Sequence, residues 1–284
     1  MATIAVRPTD QELRQAFAAV RGLSFPAIPQ VLTELQRVLW SNDPDTRKAV
    51  SLISQDQAIA GLVLKTVNSA TFALREQVSS IAHAVALLGL EPLANLVTGA
   101  VSQKYLPAQG ALAREIRDDS LEVARGAMRI ARQVEGITPD EAYLTGLLHD
   151  CGAMILADRL AAYDGVWRVK CQFPFRFLEL EERRVRTSHP VVGYLFCKHW
   201  KLPERVCSAV YLHHTPACER IDDRATRALV ATIQLAEAFI DGKNAGTESL
   251  SMEYIQFLMH AKKELLLDDA TMDELKREAA MGFE

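Results

Sequence analysis

The chain has 284 residues, 49% of them hydrophobic and 24% charged, which suits one large domain or two smaller ones and is too apolar for extended disorder. Its formal net charge of -4 and pI near 6.0 lack the overall basic character that non-specific nucleic-acid binding needs, so no nucleic-acid partner is expected. Met1 to Gln11 carries no secretory pattern, no stretch reaches the ~20 apolar residues of a membrane span, and Cys151, Cys171, Cys197, Cys207 and Cys218 form no CxxC pair. A cytoplasmic protein with reduced, mostly buried thiols and no membrane partner is the expectation.

Helical periodicity dominates. After Phe25-Pro26-Ala27-Ile28-Pro29, Val31, Leu35 and Val38 recur at helix spacing, and Ser41-Asn42-Asp43-Pro44 ends that helix. Asp45 to Ser54 reads as a short second helix, and Asp56 as the N-cap of a third that puts Ile59, Leu62, Val63, Thr66 and Val67 on one face. Asn68-Ser69-Ala70 breaks the pattern, Ser79-Ser80 starts Ile81 to Leu88, Gly89 stops it, and Leu93 to Ser102 forms one more helix. Leu106-Pro107-Ala108-Gln109-Gly110 reads as a connector, which places an N-terminal helical part at 1–110 and a second part at 111–284.

In the second part, Leu121, Ala124, Met128 and Ala131 mark a long amphipathic helix, and Thr138-Pro139-Asp140-Glu141 opens the next. That one carries Gly146-Leu147-Leu148-His149-Asp150 and is expected to stop at Gly152. Further runs cover 165–185, interrupted near Pro174, then 189–200, 204–213, 226–241 and 252–267. No segment alternates with period two between turn residues, so the fold class is all-α, a multi-helical array of short and medium helices.

The residues that could carry chemistry are His149-Asp150, His189 and His213-His214. Imidazoles and a carboxylate suit a borderline or hard divalent ion, and ligands at separate helix ends can converge on one centre. Such an ion would polarise a phosphate oxygen and acidify a bound water. Each residue also has a plainer reading: His149 and Asp150 could cap and pin a buried helix end. His83, His199 and His260 have no partner pattern and read as ordinary surface or boundary residues. The charged run Glu179 to Arg186, Glu181 included, reads as a solvated helix.

Taken together these motifs resemble the HDOD (HD-related output domain) family, relatives of the HD and HD-GYP metal-dependent phosphohydrolases. The first half carries Ile53-Ser54-Gln55-Asp56, Lys65, Asn68-Ser69-Ala70, Val78-Ser79-Ser80-Ile81 and Leu87-Leu88-Gly89-Leu90. The second carries Gly146 to Gly152, His189-Pro190-Val191-Val192-Gly193, Trp200-Lys201-Leu202-Pro203-Glu204 and His213-His214. The resemblance implies two further ligands, which fall on Asp119 and Glu237. This chain departs from the phosphohydrolase pattern at both, with Asp where His is expected and Glu where Asp is usual. Both remain carboxylates, so a site for Fe, Mn or Zn survives chemically. The changed reach alters its geometry, and errors of about 1 Å can cost ~100-fold in rate.

The resemblance therefore implies a regulatory output module acting on another signalling protein. Its competitors are a metal-dependent phosphohydrolase of a nucleotide or cyclic dinucleotide, and a nucleotide sensor without turnover. Asn68 and Ser69 read as a turn or cap, with the resemblance suggesting a junction or partner surface instead. A homodimer is the default for a symmetric regulator.

Overall fold

A computed structural model describes residues 4–21, 25–72, 74, 76–106, 108–160, 162–170, 173–216, 218–245 and 252–283; Pro107 of the expected connector and Cys171 lie outside them. Every regular element among the described residues is helical, and none of the helices is long and apolar enough to cross a membrane. In chain order they are α1 (Asp10–Ala19), α2 (Gln30–Leu39), α3 (Thr46–Gln55), α4 (Gln57–Val67), α5 (Ile81–Leu88), α6 (Leu90–Tyr105), α7 (Ala111–Ala131) and α8 (Pro139–Leu148). They continue as α9 (Cys151–Arg159), α10 (Tyr163–Trp167), α11 (Arg176–Val185), α12 (His189–His199), α13 (Glu204–Leu212), α14 (Arg224–Ala245), α15 (Met252–Glu264) and α16 (Asp269–Ala280).

The described residues fall into two compact units, one within Pro26–Tyr105 and the other within Met1–Phe25 and Leu106–Phe283. Helix α1, which the sequence places in the first part, belongs to the second unit, where its Glu12 accepts a hydrogen bond from the Tyr211 hydroxyl at 3.2 Å. Neither α1 nor α16 was expected from hydrophobic periodicity. Their start signals were nevertheless present: a Thr9/Glu12 capping box, and Asp268 accepting from the Thr271 amide.

In the smaller unit, Asp56 accepts from the Ala58 and Ile59 amides at 3.0 and 3.1 Å and so starts α4 as expected. Its apolar face buries Ile59, Val63 and Val67 completely, and α4 packs on α3 and α6, whose Ile53, Leu93 and Val97 are equally buried. Burial at this level stabilises by roughly 1.5–3 kcal/mol per large side chain. Helix α6 begins three residues before the expected Leu93 because Pro92 sits in its first turn, where its missing N–H costs nothing. Asn68 clamps the loop ahead of α5: its Nδ2 donates to the Val78 carbonyl at 2.8 Å, and its Oδ1 accepts from the Val78 amide at 2.7 Å. Ser69 caps locally by donating to the Thr66 carbonyl at 2.7 Å.

The larger unit positions the histidines. Helix α8 packs on α7 so closely that a Cβ on Gly146 would stand 2.6 Å from the Ala124 Cα. Gly152 was expected to stop a helix; instead it lies inside α9, and a Cβ there would stand 2.0 Å from the His189 carbonyl oxygen. The glycine therefore serves close approach of α9 to α12. Cys151, Cys197, Cys207 and Cys218 are buried free thiols.

Candidate metal centre

Five helix ends and one helix interior deliver the cluster. His149 and Asp150 occupy the bend between α8 and α9, His189 opens α12, and His213 and His214 follow α13. Glu237 projects from within α14, and Lys170 follows α10 in a turn whose amide donates to the Trp167 carbonyl at 2.9 Å. His149, Asp150, His189, His213, His214 and Glu237 are each at most 2% exposed, and Lys170 is 6% exposed. So many polar groups buried together must be paired or must hold an ion, because an uncompensated buried charge costs several kcal/mol.

The imidazoles are held from behind. His149 Nδ1 lies 2.8 Å from the Gly146 carbonyl, His213 Nδ1 2.7 Å from the Val210 carbonyl, and His189 Nδ1 2.8 Å from Glu181 Oε2. All three partners are acceptors, so each Nδ1 donates to its partner and each Nε2 is turned inward, where it can ligate once it carries no proton. Backing of this kind orients metal-binding histidines. Gln234 of α14 supports the next layer, donating to the carbonyls of His213 at 2.9 Å and Thr215 at 2.8 Å.

The inward atoms lie close together. His189 Nε2 and His213 Nε2 are 3.1 and 3.4 Å from Asp150 Oδ1, and 3.2 Å from each other. His149 Nε2, Asp150 Oδ1, both ring nitrogens of His214 and both carboxylate oxygens of Glu237 are buried without an aligned hydrogen bond. Two groups of ligand atoms result, each within 4.8 Å: Asp150, His189, His213 and His214 in one, and His149, Asp150 and Glu237 in the other. Neither takes in Asp119, which is half-buried on α7.

The first group fits a divalent ion in donor type and in its orphaned buried atoms. The second does not, because Lys170 Nζ stands 2.8 Å from Asp150 Oδ2 and 2.6 Å from Glu237 Oε1, with the Trp167 ring centroid 4.8 Å away. An ion bridging those two oxygens would need the space that the ammonium fills.

Electrostatics follow the geometry. Burial opposes the charge on Lys170, but Asp150, Glu237 and Asp241 outweigh it and hold the ammonium well above its ordinary pKa. Burial also opposes charge on Asp150, and the neighbouring His149 and Lys170 nevertheless keep it well below the usual carboxylate range. For His189, burial is overcome by the Glu181 and Asp150 carboxylates, which raise it to about 9. His214 has no such compensation: burial and the neighbouring His213 push it well down, leaving neutral imidazole free to ligate. Burial raises Asp119, with Lys170 opposing.

Two residues of the cluster and its support lie outside the sequence expectations. Lys170 gave no local signal, standing 20 residues from Asp150 and 67 from Glu237 in the chain. Glu181 was assigned to a solvated run and is instead fully buried, accepting from the Tyr163 hydroxyl, and from the His189 amide at 3.1 Å. The signal was there: Glu181 lies four residues after Phe177, on the same inward face of α11, while Glu179, Arg183 and Arg184 point outward.

The sequence profile of the HDOD domain matches residues 25–216. A curated protein of Treponema pallidum with no characterised function is 26% identical over 77% of this chain, and the chain spans only 43% of that protein's length. Among solved structures, a presumptive phosphohydrolase of Shewanella amazonensis SB2B superimposes with a TM-score of 0.71 at 19% identity, covering 95% of this chain and 96% of the other. An HDOD domain protein of unknown function from Geobacter sulfurreducens gives 0.66 at 22% identity, covering 96% and 98%. At such identities the structural likeness speaks for the fold.

Proposed function

We propose that this chain, which belongs to the HDOD family, is a regulatory module that relays a state to another signalling protein through surface contacts, without turning over a substrate. The observation that carries this reading is the closure of the cluster: its ligand residues are at most 2% exposed and Lys170 fills its carboxylate side. Hydrolysis needs a cleft that admits a phosphate and leaves a position open on the ion. An iron, manganese or zinc ion held by Asp150, His189, His213 and His214 would serve here to tie the ends of α8, α12 and α13 together.

The convergence of Asp150 with three imidazoles favours a second reading, a metal-dependent phosphohydrolase of a nucleotide or cyclic dinucleotide, in keeping with the name of the Shewanella neighbour. Assays with nucleotides and cyclic dinucleotides in excess Mn2+ or Fe2+ separate the two. No product is expected; turnover that disappears in Asp150→Ala would establish the second reading instead.

A further inference from the structure

Asp150 divides two cation positions. Its Oδ1 faces His189 and His213, and its Oδ2 faces His149 at 3.0 Å and Lys170 at 2.8 Å. On the Oδ2 side the opposing carboxylate, Glu237, meets the same ammonium at 2.6 Å. A divalent ion held by these two oxygens would lie about 2.0–2.2 Å from each. That position and the Lys170 nitrogen cannot be filled together.

Lysine is seldom buried unless paired, and here everything around the side chain is arranged to keep it in. The Trp167 face covers its charge at 4.8 Å, the Trp167 carbonyl holds its backbone amide, and the carboxyls of Asp241 and Asp119 lie near enough to interact with it. The ammonium supplies one positive charge to a pocket of carboxylates, as a metal ion would. Unlike an ion, it is tethered by the chain, does not exchange and has no open position for a ligand.

We propose that Lys170 is a built-in cation occupying one of the two cation positions that share Asp150, so that this chain takes at most one divalent ion, on the side of His189, His213 and His214. The inference concerns ion stoichiometry and stands whether or not the protein turns over a substrate.

The test is a titration of the purified full chain with Mn2+ and with Zn2+, reading bound ions per chain by elemental analysis after desalting, and melting temperature in chelator and in excess ion. The wild type is expected to hold no more than one ion. Lys170→Gln and Lys170→Met should each hold one more than the wild type, melt lower than the wild type in chelator, and recover in Mn2+. Adding Glu237→Gln to either should remove the extra ion. Two ions in the wild type would overturn the proposal, as would a folded neutral variant with the wild-type count. A neutral variant that stays unfolded in saturating Mn2+ would overturn it equally, because the ion would then not take the ammonium's place.

Discussion

On one side of Asp150 three imidazoles meet, and on the other a lysine meets two carboxylates; both sides are sealed from water, yet they satisfy burial by different means. The imidazole side is held by hydrogen bonds at its back, to the carbonyl of Val210 and to Glu181, and turns the Nε2 atoms of His189 and His213 toward Asp150 Oδ1 and each other. The carboxylate side is satisfied from within, by a charge the chain carries itself. An array of metal-ligand residue types therefore does not by itself define two ion sites, because a buried cation from elsewhere in the chain can stand in one of them.

The largest effect is expected at Lys170. Lys170→Met removes the ammonium that Asp150 and Glu237 share, and in chelator should lose about 3–5 kcal/mol of stability by urea unfolding. A loss under 1 kcal/mol would mean that the pair is not the essential contact it resembles.

The imidazole side is probed next by pH. His189 is held up to about 9 against an ordinary value of 6.5, so it gains a proton more readily folded than unfolded. Its contribution is therefore fully present below pH 6.5 and is lost as the pH rises through 9, by up to ~3 kcal/mol in metal-free protein. Stability flat across that window, measured by chemical denaturation in chelator, would contradict the pairing. In the metal-loaded protein the same proton must leave before His189 can ligate, so affinity should rise with pH over the same range.

A smaller effect is expected one layer back. Glu181→Ala strips the acceptor from Tyr163, the His189 amide and the His189 ring, and should cost ~1–3 kcal/mol. Glu179→Ala, two residues away and exposed with an i,i+4 partner in Arg183, should change stability by less than ~0.5 kcal/mol. Equal effects at the two positions would put Glu181 back in the solvated run where its sequence neighbourhood places it.

Much of the architecture was legible without coordinates. The caps at Asp56 and Ser80, the proline opening at Pro139 and the spacing of Ile59, Val63 and Val67 are local signals, and local hydrogen bonding and helical period honour them wherever the rest of the chain goes. Gly152 was misread because a glycine at a helix end and a glycine under a crossing helix look alike in sequence; only the His189 carbonyl beside it tells them apart.

The helical class, the family pattern and the ligand types follow from residue identity and short spacing. Which atoms share a centre was decided by packing over long separations. The bend between α8 and α9, the start of α12, the turn after α13 and one face of α14 all had to meet before Asp150 could face His189 on one side and Lys170 on the other. A lysine is ordinarily a solvated residue, and nothing near Lys170 in the chain says otherwise; the two carboxylates that draw its charge inward reach it only in the folded protein.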